Sequence, residues 1–155
     1  MKDERPVRIV AKEDAVFRMD GEGRWRNRHG RFESPRINRH FHVSIRSDAQ
    51  GYYLLQDHGA YLEKVYFPYA DTALFVVDII EDRDELQLVL NTGRRLGLNP
   101  ENLFISNDRL YLRLGEHRVK FSGDCLVRMM RHLEFAEGAC FFRWRNERFR
   151  IEERH

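Results

Sequence analysis

The segment LFISNDRLYLRLGEHRVKF, residues 103–121, decides the fold class of this chain. The pairs Asn107-Asp108 and Gly115-Glu116 divide it into three short runs rich in Leu, Phe, Ile and Val. Asn, Asp and Gly tolerate left-handed backbone conformations and are typical of two-residue loops between antiparallel strands. We therefore predict an antiparallel meander of three strands in this segment.

Similar runs on both sides of the meander predict further antiparallel strand pairs, because short β-branched and aromatic segments bounded by turn residues are typical of hairpins. The predicted strands cover residues 15–19, 24–28, 52–56, 61–67, 74–80, 86–91, 94–98, 139–145 and 148–152. Two segments instead begin with a serine that can cap a helix, Ser34 and Ser122. Their apolar stripes at helical spacing are Ile37, Phe41 and Ile45 in the first, and Leu126, Met129, Met130 and Leu133 in the second.

This arrangement predicts an α+β fold that is mostly antiparallel, with two related lobes that each place strands around one helix. The string RWRN occurs at residues 24–27 and again at 143–146, each time in a predicted strand beside a turn. We expect a flexible N-terminus over residues 1–14, an N-terminal lobe over 15–70 and a C-terminal lobe over 71–155.

The composition is that of a globular protein, since 42% of the 155 residues are hydrophobic and 34% are charged. The longest apolar stretch, residues 73–80, is interrupted by Asp78 and is far shorter than the roughly 20 residues of a membrane span. The first residues, MKDERPVR, lack the apolar core of a signal peptide, so we expect a cytoplasmic protein without membrane association. In that compartment Cys125 and Cys140 are expected to be free thiols.

The sequence predicts no catalytic, metal or cofactor site. His40 and His42 are two residues apart on a predicted helix, so they point in different directions and do not form a ligand pair. The acidic residues around positions 81–85 lack the spacing of an EF-hand loop. Asp78 ends an apolar strand, where a buried carboxylate that pairs with a backbone amide or an arginine is expected and a catalytic role is the alternative.

Basic and aromatic residues alternate in two segments, 24–28 and 142–151, which places rings and guanidinium groups on opposite strand faces. Residues 18–46 are the most basic region, with eight Arg against three acidic residues. We therefore predict that Trp144 belongs to the core and that Trp25 faces outward, where it could stack on a base. Within the aromatic strand 61–67, Glu63 and Lys64 point to opposite faces, so one of the two faces the core or a cleft. A buried ion pair is the expected role, and contact with a ligand is the alternative.

Five motifs, in order and spacing, resemble the bacterial family of domains of unknown function numbered 1285, over residues 17–152. They are GRW at 23–25, GYYL at 51–54, EKV at 63–65, LFVVD at 74–78 and LNTG at 90–93. The resemblance implies two related lobes, the second similar to a pleckstrin-homology barrel. It also implies a small-ligand site, for example for a nucleotide, at the junction of the lobes, and a role in signalling.

These observations lead to the hypothesis of a noncatalytic regulatory protein that binds a small molecule, for example a nucleotide. The candidate ligand-binding residues are Trp25, Arg26, Tyr53, Glu63, Lys64 and Asp78. Trp25 would supply a stacking plane and Lys64 or Arg26 the phosphate donors. Lys64 is favoured because Trp25 and Arg26 point to opposite faces of one strand. The alternative hypothesis is a nucleic-acid-associated module that uses the two Arg-aromatic strand faces.

Overall fold

A computed structural model describes residues 3–154, and its contacts divide the chain after Ala73 into two units. Met1, Lys2 and His155 lie outside the described residues. The flexibility expected for Met1 and Lys2 therefore stays a prediction. The elements of the first unit are β1 (Val7–Val10), β2 (Arg18–Met19), β3 (Trp25–Asn27), β4 (Gly30–Arg31), α1 (Pro35–Val43), β5 (Ile45–Asp48), β6 (Gly51–Asp57) and β7 (Leu62–Tyr66). They form a four-stranded sheet in the order β1-β7-β6-β5 and a three-stranded sheet in the order β2-β3-β4.

Part of the N-terminal segment 1–14, for which flexibility was expected, has regular secondary structure. β1 pairs in parallel with β7, and a 3-10 turn follows at Lys12–Asp14. The Arg5 guanidinium also contacts the Asp57 carboxylate at 2.7 Å. The short VRIV run is stabilised by hydrogen bonds to a strand about 50 residues away, and such a partner leaves no local signal in the sequence.

Helix α1 begins as predicted, because the Ser34 side chain accepts a hydrogen bond from the backbone N–H of Ile37 and Pro35 opens the first turn. It ends earlier than predicted, at Val43. Ile45 is not on the helix but in β5, where it pairs with Leu54 of β6. Since β6 exposes an unpaired edge to these residues, sheet pairing outweighs continuation of the helix.

The second unit contains β8 (Phe75–Glu81), β9 (Leu86–Leu90), β10 (Arg95–Gly97), β11 (Leu103–Ser106), β12 (Arg109–Leu114), β13 (His117–Phe121), α2 (Gly123–Met129), β14 (Leu133–Ala136), β15 (Ala139–Trp144), β16 (Glu147–Arg150) and β17 (Glu152–Arg154). Seven strands form one sheet in the order β10-β9-β8-β13-β12-β11-β17, and β14-β15-β16 form a second. Most pairs are antiparallel. The exceptions in this unit are β8 with β13 and β11 with β17. The predicted α+β class is therefore confirmed. The pleckstrin-homology-like form of this unit stays a prediction.

The predicted meander is confirmed at β11, β12 and β13, and its turns have the backbone that their residues favour. Asn107 and Asp108 have φ of 50° and 60°, and Gly115 has φ of 60°. At the C-terminal end the predicted strand 148–152 is interrupted. The backbone N–H of Ile151 donates to the Cys140 carbonyl, and the next residues leave to form β17 beside β11.

Helix α2 is capped by Ser122 as predicted, but it ends at Met129. A 3-10 turn at Met130–His132 and strand β14 follow, so the predicted stripe does not lie on one helical face. Met129 is buried, whereas Met130 is about half exposed. Cys125 and Met129 of this helix are buried in the core of this unit, and Leu126 is partly buried against it.

Cys125 on α2 and Cys140 on β15 are both free and buried in the core of the second unit. Burial raises the pKa of both thiols, which keeps them protonated and slow to react. We expect a thiol reagent to titrate two groups after unfolding without reductant, and to react slowly with the native protein. Cys140→Ser should lower the count to one. A count of zero in the wild-type protein would contradict the free thiols.

Candidate anion-binding site

Trp25 on β3 lies in the core of the first unit, with 1% of its surface exposed. Its ring packs edge-on against Phe67 and Phe41, with centroids 4.9 and 5.3 Å away. The indole Nε1–H donates a hydrogen bond to Nδ1 of His42 at 3.2 Å, and burial lowers the pKa of His42, which favours its neutral, accepting form. The prediction that Trp25 faces outward was therefore wrong, and its contact with a ligand stays a prediction.

The opposite face of the same small sheet carries a row of three arginines. Arg18 on β2 is opposite Arg26 on β3, and Arg26 is opposite Arg31 on β4. Residues directly opposite one another in antiparallel strands point to the same face. We call Arg18, Arg26 and Arg31 the arginine row. It was missed in the sequence because the strands β2 and β4 have only two residues each, and their register is not visible in a pattern of period two.

Only the middle member of the arginine row has a carboxylate partner among residues 3–154. Arg26 Nε contacts the Asp20 carboxylate at 2.6 Å. Burial opposes ionisation of Asp20, but the hydrogen bonds from Arg26 and from the backbone N–H groups of Arg24 and Glu22 together outweigh it, and the pKa of Asp20 is lowered. Arg18 and Arg31 form no ion pair within the described chain. Like charges that face each other across strands are destabilising, so the row retains positive charge that an anion would neutralise.

A cavity of about 770 Å³ lies beside the row in the first unit. Its polar wall consists of Arg18, Arg26, Asn27, Arg28 and His29, and its apolar wall of Ala15, Val16, Phe17 and Pro68. The side chain of Val16 is 81% exposed, which is unusual for an apolar residue beside a cavity. A lining that combines arginines with apolar residues suits a ligand that has an anionic group and an apolar or aromatic body.

A second cavity of about 360 Å³ lies on the side of β3 and β4 that faces α1. It is lined by Gly23, Arg24, Trp25, Arg31, Phe32, Glu33, Asn38 and His42. Asn38 and His42 are four residues apart on α1, so they point to the same side of the helix. The Asn38 amide nitrogen donates to the Phe32 carbonyl, which orients its oxygen away from that bond.

The other predicted residues of the first unit lie in the four-stranded sheet, not beside Arg26. Lys64 on β7 is 3.5 Å from the Asp48 carboxylate, and its ammonium lies 4.8 Å from the ring of Tyr53 on β6. Glu63 points to the other face, where Nε2 of His58 is 3.2 Å away. The predicted set is therefore divided between two sheets, and the favoured pair of Trp25 with Lys64 is not formed by one site.

Asp78 lies in the second unit, on the exposed surface beside a bulge in β8. Its carboxylate accepts hydrogen bonds from Arg128 at 2.6 Å and from the backbone N–H of Ile79 at 2.9 Å. These bonds lower the pKa of Asp78 and confirm the predicted pairing with an arginine and a backbone amide, but the expected burial was wrong because the side chain is exposed. A cavity of about 390 Å³ is nearby, but its Arg128 and Arg131 are paired with Asp78 and Glu81.

The predicted alternation over residues 142–151 is confirmed, with Phe142 and Ile151 buried and the arginines exposed. Trp144 is half-buried at the edge of the core, next to His132. Two of the guanidinium groups, on Arg143 and Arg148, lie 3.5 and 3.8 Å from Glu134. This C-terminal arginine face is therefore partly neutralised, unlike the two ends of the arginine row.

Two further observations concern metal ligands and membrane spans in the part of the chain that is described. No group of three or more His, Cys, Asp or Glu side chains is arranged to hold a metal ion between residues 3 and 154. Within the same range, none of the helices has the length and apolar composition needed to cross a membrane.

No model of a known protein family matches the sequence, and neither does any curated protein. Two solved structures have a similar fold. A DUF1285 family protein from Silicibacter pomeroyi DSS-3 is 16% identical, with a TM-score of 0.64 over 96% of this chain and 84% of that one. A DUF1285 family protein from Shewanella baltica OS155 is also 16% identical, with a TM-score of 0.53 over 75% of this chain and 91% of that one. The resemblance in the sequence motifs is therefore matched in three dimensions, and this chain has the fold of these two DUF1285 family proteins.

Proposed function

We propose that this protein binds a small phosphorylated molecule, such as a nucleotide, in the cavity of about 770 Å³ beside the arginine row. One observation carries the proposal: Arg18 and Arg28, which have no carboxylate partner among the described residues, line this cavity together with the apolar residues Val16 and Phe17. The role is noncatalytic and regulatory, in the cytoplasm, where binding itself is the signal.

Phosphate is the anion that best fits these side chains. The planar guanidinium group donates two parallel hydrogen bonds to phosphate, and such charge-assisted bonds are stronger than neutral ones. The volume falls within the roughly 300–1,000 Å³ of small-molecule sites. The apolar wall would contact the base or another flat, apolar part of the ligand, as a nucleotide provides.

Arg18→Gln is expected to reduce the stabilisation that adenosine monophosphate and other nucleotides give to the protein in thermal unfolding. The substitution removes one phosphate donor and keeps a polar side chain of similar length. We expect affinity to fall by about tenfold, which corresponds to about 1.4 kcal/mol. Ligand recovered after prolonged incubation should be chemically unchanged.

Arg148→Gln on the C-terminal arginine face is the matched control, because it also removes one exposed guanidinium group from a small sheet. It should leave nucleotide binding unchanged. Loss of binding in Arg148→Gln alone would reject the proposed cavity. The second candidate function would then apply, a nucleic-acid-associated module, which is favoured by the cluster of Arg143, Arg148 and Arg150 around Phe141 on one face.

A further inference from the structure

Arg18 and Arg28 both line the cavity of about 770 Å³, and neither has a carboxylate partner among residues 3–154. We propose that their guanidinium groups hold one and the same phosphate, and that the ligand is a nucleoside monophosphate with this phosphate at its end. Cyclic nucleotides and nucleoside diphosphates bind less tightly to such a site. This inference rests on the function proposed above and specifies its ligand class.

The two guanidinium groups can reach a single phosphate. Arg18 is opposite Arg26 in the pair of β2 with β3, and Arg28 follows Arg26 by two residues. Adjacent strands lie about 4.8 Å apart and each strand residue adds about 3.3 Å, so the Cα atoms of Arg18 and Arg28 are about 8 Å apart. Two extended arginine side chains can span that distance with a phosphate between their ends.

The orientation of Arg28 leaves its terminal nitrogens for a ligand. Its Nε–H donates a hydrogen bond to Nε2 of His29 at 3.2 Å. An imidazole nitrogen that accepts such a bond carries no proton, so His29 is neutral in this arrangement and adds no charge to the lining. The two terminal nitrogens of Arg28 form the side of the guanidinium group that can donate two parallel bonds to phosphate oxygens.

The hydrogen-bond donors match the oxygens of a phosphate monoester. Each guanidinium group donates two parallel bonds to phosphate, so two groups that share one oxygen occupy three oxygens. A phosphate monoester has three terminal acceptor oxygens. The phosphate diester of a cyclic nucleotide has two, and one guanidinium group is enough to bind both of them. The second arginine therefore contributes most to the binding of a monoester.

The charge of the lining also matches one monoester. Arg18, Arg26 and Arg28 each carry a positive charge, and the ion pair at 2.6 Å with Asp20 matches the charge of Arg26. The charges of Arg18 and Arg28 remain, and a phosphate monoester carries about −1.5 to −2 at pH 7. A diester carries less charge than these two arginines, and a diphosphate carries more than they neutralise.

The test compares three ligands that share one base by calorimetric titration: adenosine 5′-monophosphate, adenosine 5′-diphosphate and adenosine 3′,5′-cyclic monophosphate. The wild-type protein should bind the monophosphate at least about fivefold more tightly than either of the others. Arg28→Gln should weaken binding of the monophosphate by about tenfold and binding of the cyclic nucleotide by less than about threefold, because Arg18 alone can hold the diester. Arg18→Gln should give the same pattern.

Arg39→Gln is the control, because Arg39 is exposed on α1 and lines neither cavity. It removes the same charge and should leave all three affinities within about twofold of the wild-type values. Arg28→Gln should unfold at the wild-type midpoint, because its side chain is exposed and its hydrogen bond within the described chain is to the neighbouring His29.

Two results would overturn the monophosphate inference. The first is that the diphosphate or the cyclic nucleotide binds as tightly as the monophosphate, and the second is that the preference for the monophosphate survives Arg28→Gln. If binding still depends on Arg18 in either case, the proposed function stands and only the ligand class fails. If none of the three ligands binds, both are rejected.

Discussion

Trp25→Ala is expected to lower the free energy of unfolding by about 3–5 kcal/mol, because it removes a fully buried aromatic side chain and leaves a cavity in the core. The indole packs against three rings, those of Phe17, Phe41 and Phe67, and its Nε1–H bonds to His42. Truncation also leaves the His42 nitrogen without this donor. Denaturant unfolding followed by circular dichroism measures the change.

Trp144→Ala is the matched control, since Trp144 lies in the second copy of the RWRN string but is only half-buried. Its effect on the unfolding free energy should be clearly smaller. Should Trp25→Ala unfold at the wild-type midpoint and bind nucleotide less tightly, the indole would be a ligand contact and not a core residue.

The error at Trp25 has a physical origin in strand geometry. Alternation correctly predicted that Trp25 and Arg26 point to opposite faces, but period two does not identify which face is buried. That choice depends on Phe41 of α1 and on Phe67, which follows β7, both distant in sequence. The basic surroundings suggested an exposed ring, whereas the guanidinium groups lie on the opposite face from the indole.

The parts of the fold that sequence predicted well are those determined by neighbouring residues. Helix caps at Ser34 and Ser122 and the turn at Asn107-Asp108 are local, and all three are found where they were predicted. The parallel pairing of β1 with β7 and the departure of the chain at Ile151 into β17 depend on distant partners. Hydrogen bonds of that kind leave no periodic signal.

The repeated RWRN string has a structural counterpart in each unit. Trp25 lies on β3 and Trp144 on β15, and each of these is the middle strand of a three-stranded antiparallel sheet. Each indole also lies beside a histidine, with ring centroids 5.7 Å apart for His42 and 5.6 Å apart for His132. Two units with the same local arrangement of tryptophan, histidine and outward arginine fit the expected relationship between the lobes.

The candidate site was only partly predictable. Of the six predicted residues, Arg26 lines the larger cavity and Trp25 contributes to the smaller one. The other four lie elsewhere, in the four-stranded sheet (Tyr53, Glu63 and Lys64) and in the second unit (Asp78). The excess of arginine in residues 18–46 pointed to the region that contains the arginine row. The row itself results from cross-strand register, and register between strands of two or three residues is not determined by the sequence pattern alone.

Met129→Ala and Met130→Ala are expected to differ strongly although the residues are adjacent. Met129 is 0% exposed in the core of the second unit, so its truncation should lower the unfolding free energy by about 2–5 kcal/mol. Met130 is 49% exposed at the start of a 3-10 turn, and its truncation should change stability by no more than about 0.5 kcal/mol. Denaturant midpoints of the two variants, measured side by side with equal slopes, test the difference.

The two substitutions distinguish between two possible structures of residues 123–133. A continuous helix through Leu133 would place both methionines on the apolar stripe, and both substitutions would then be costly. The observed end of α2 at Met129 turns the following side chain toward solvent and directs the chain into β14. Equal losses of stability in the two variants would therefore contradict the early helix end, whereas a large loss in Met129→Ala alone would support it.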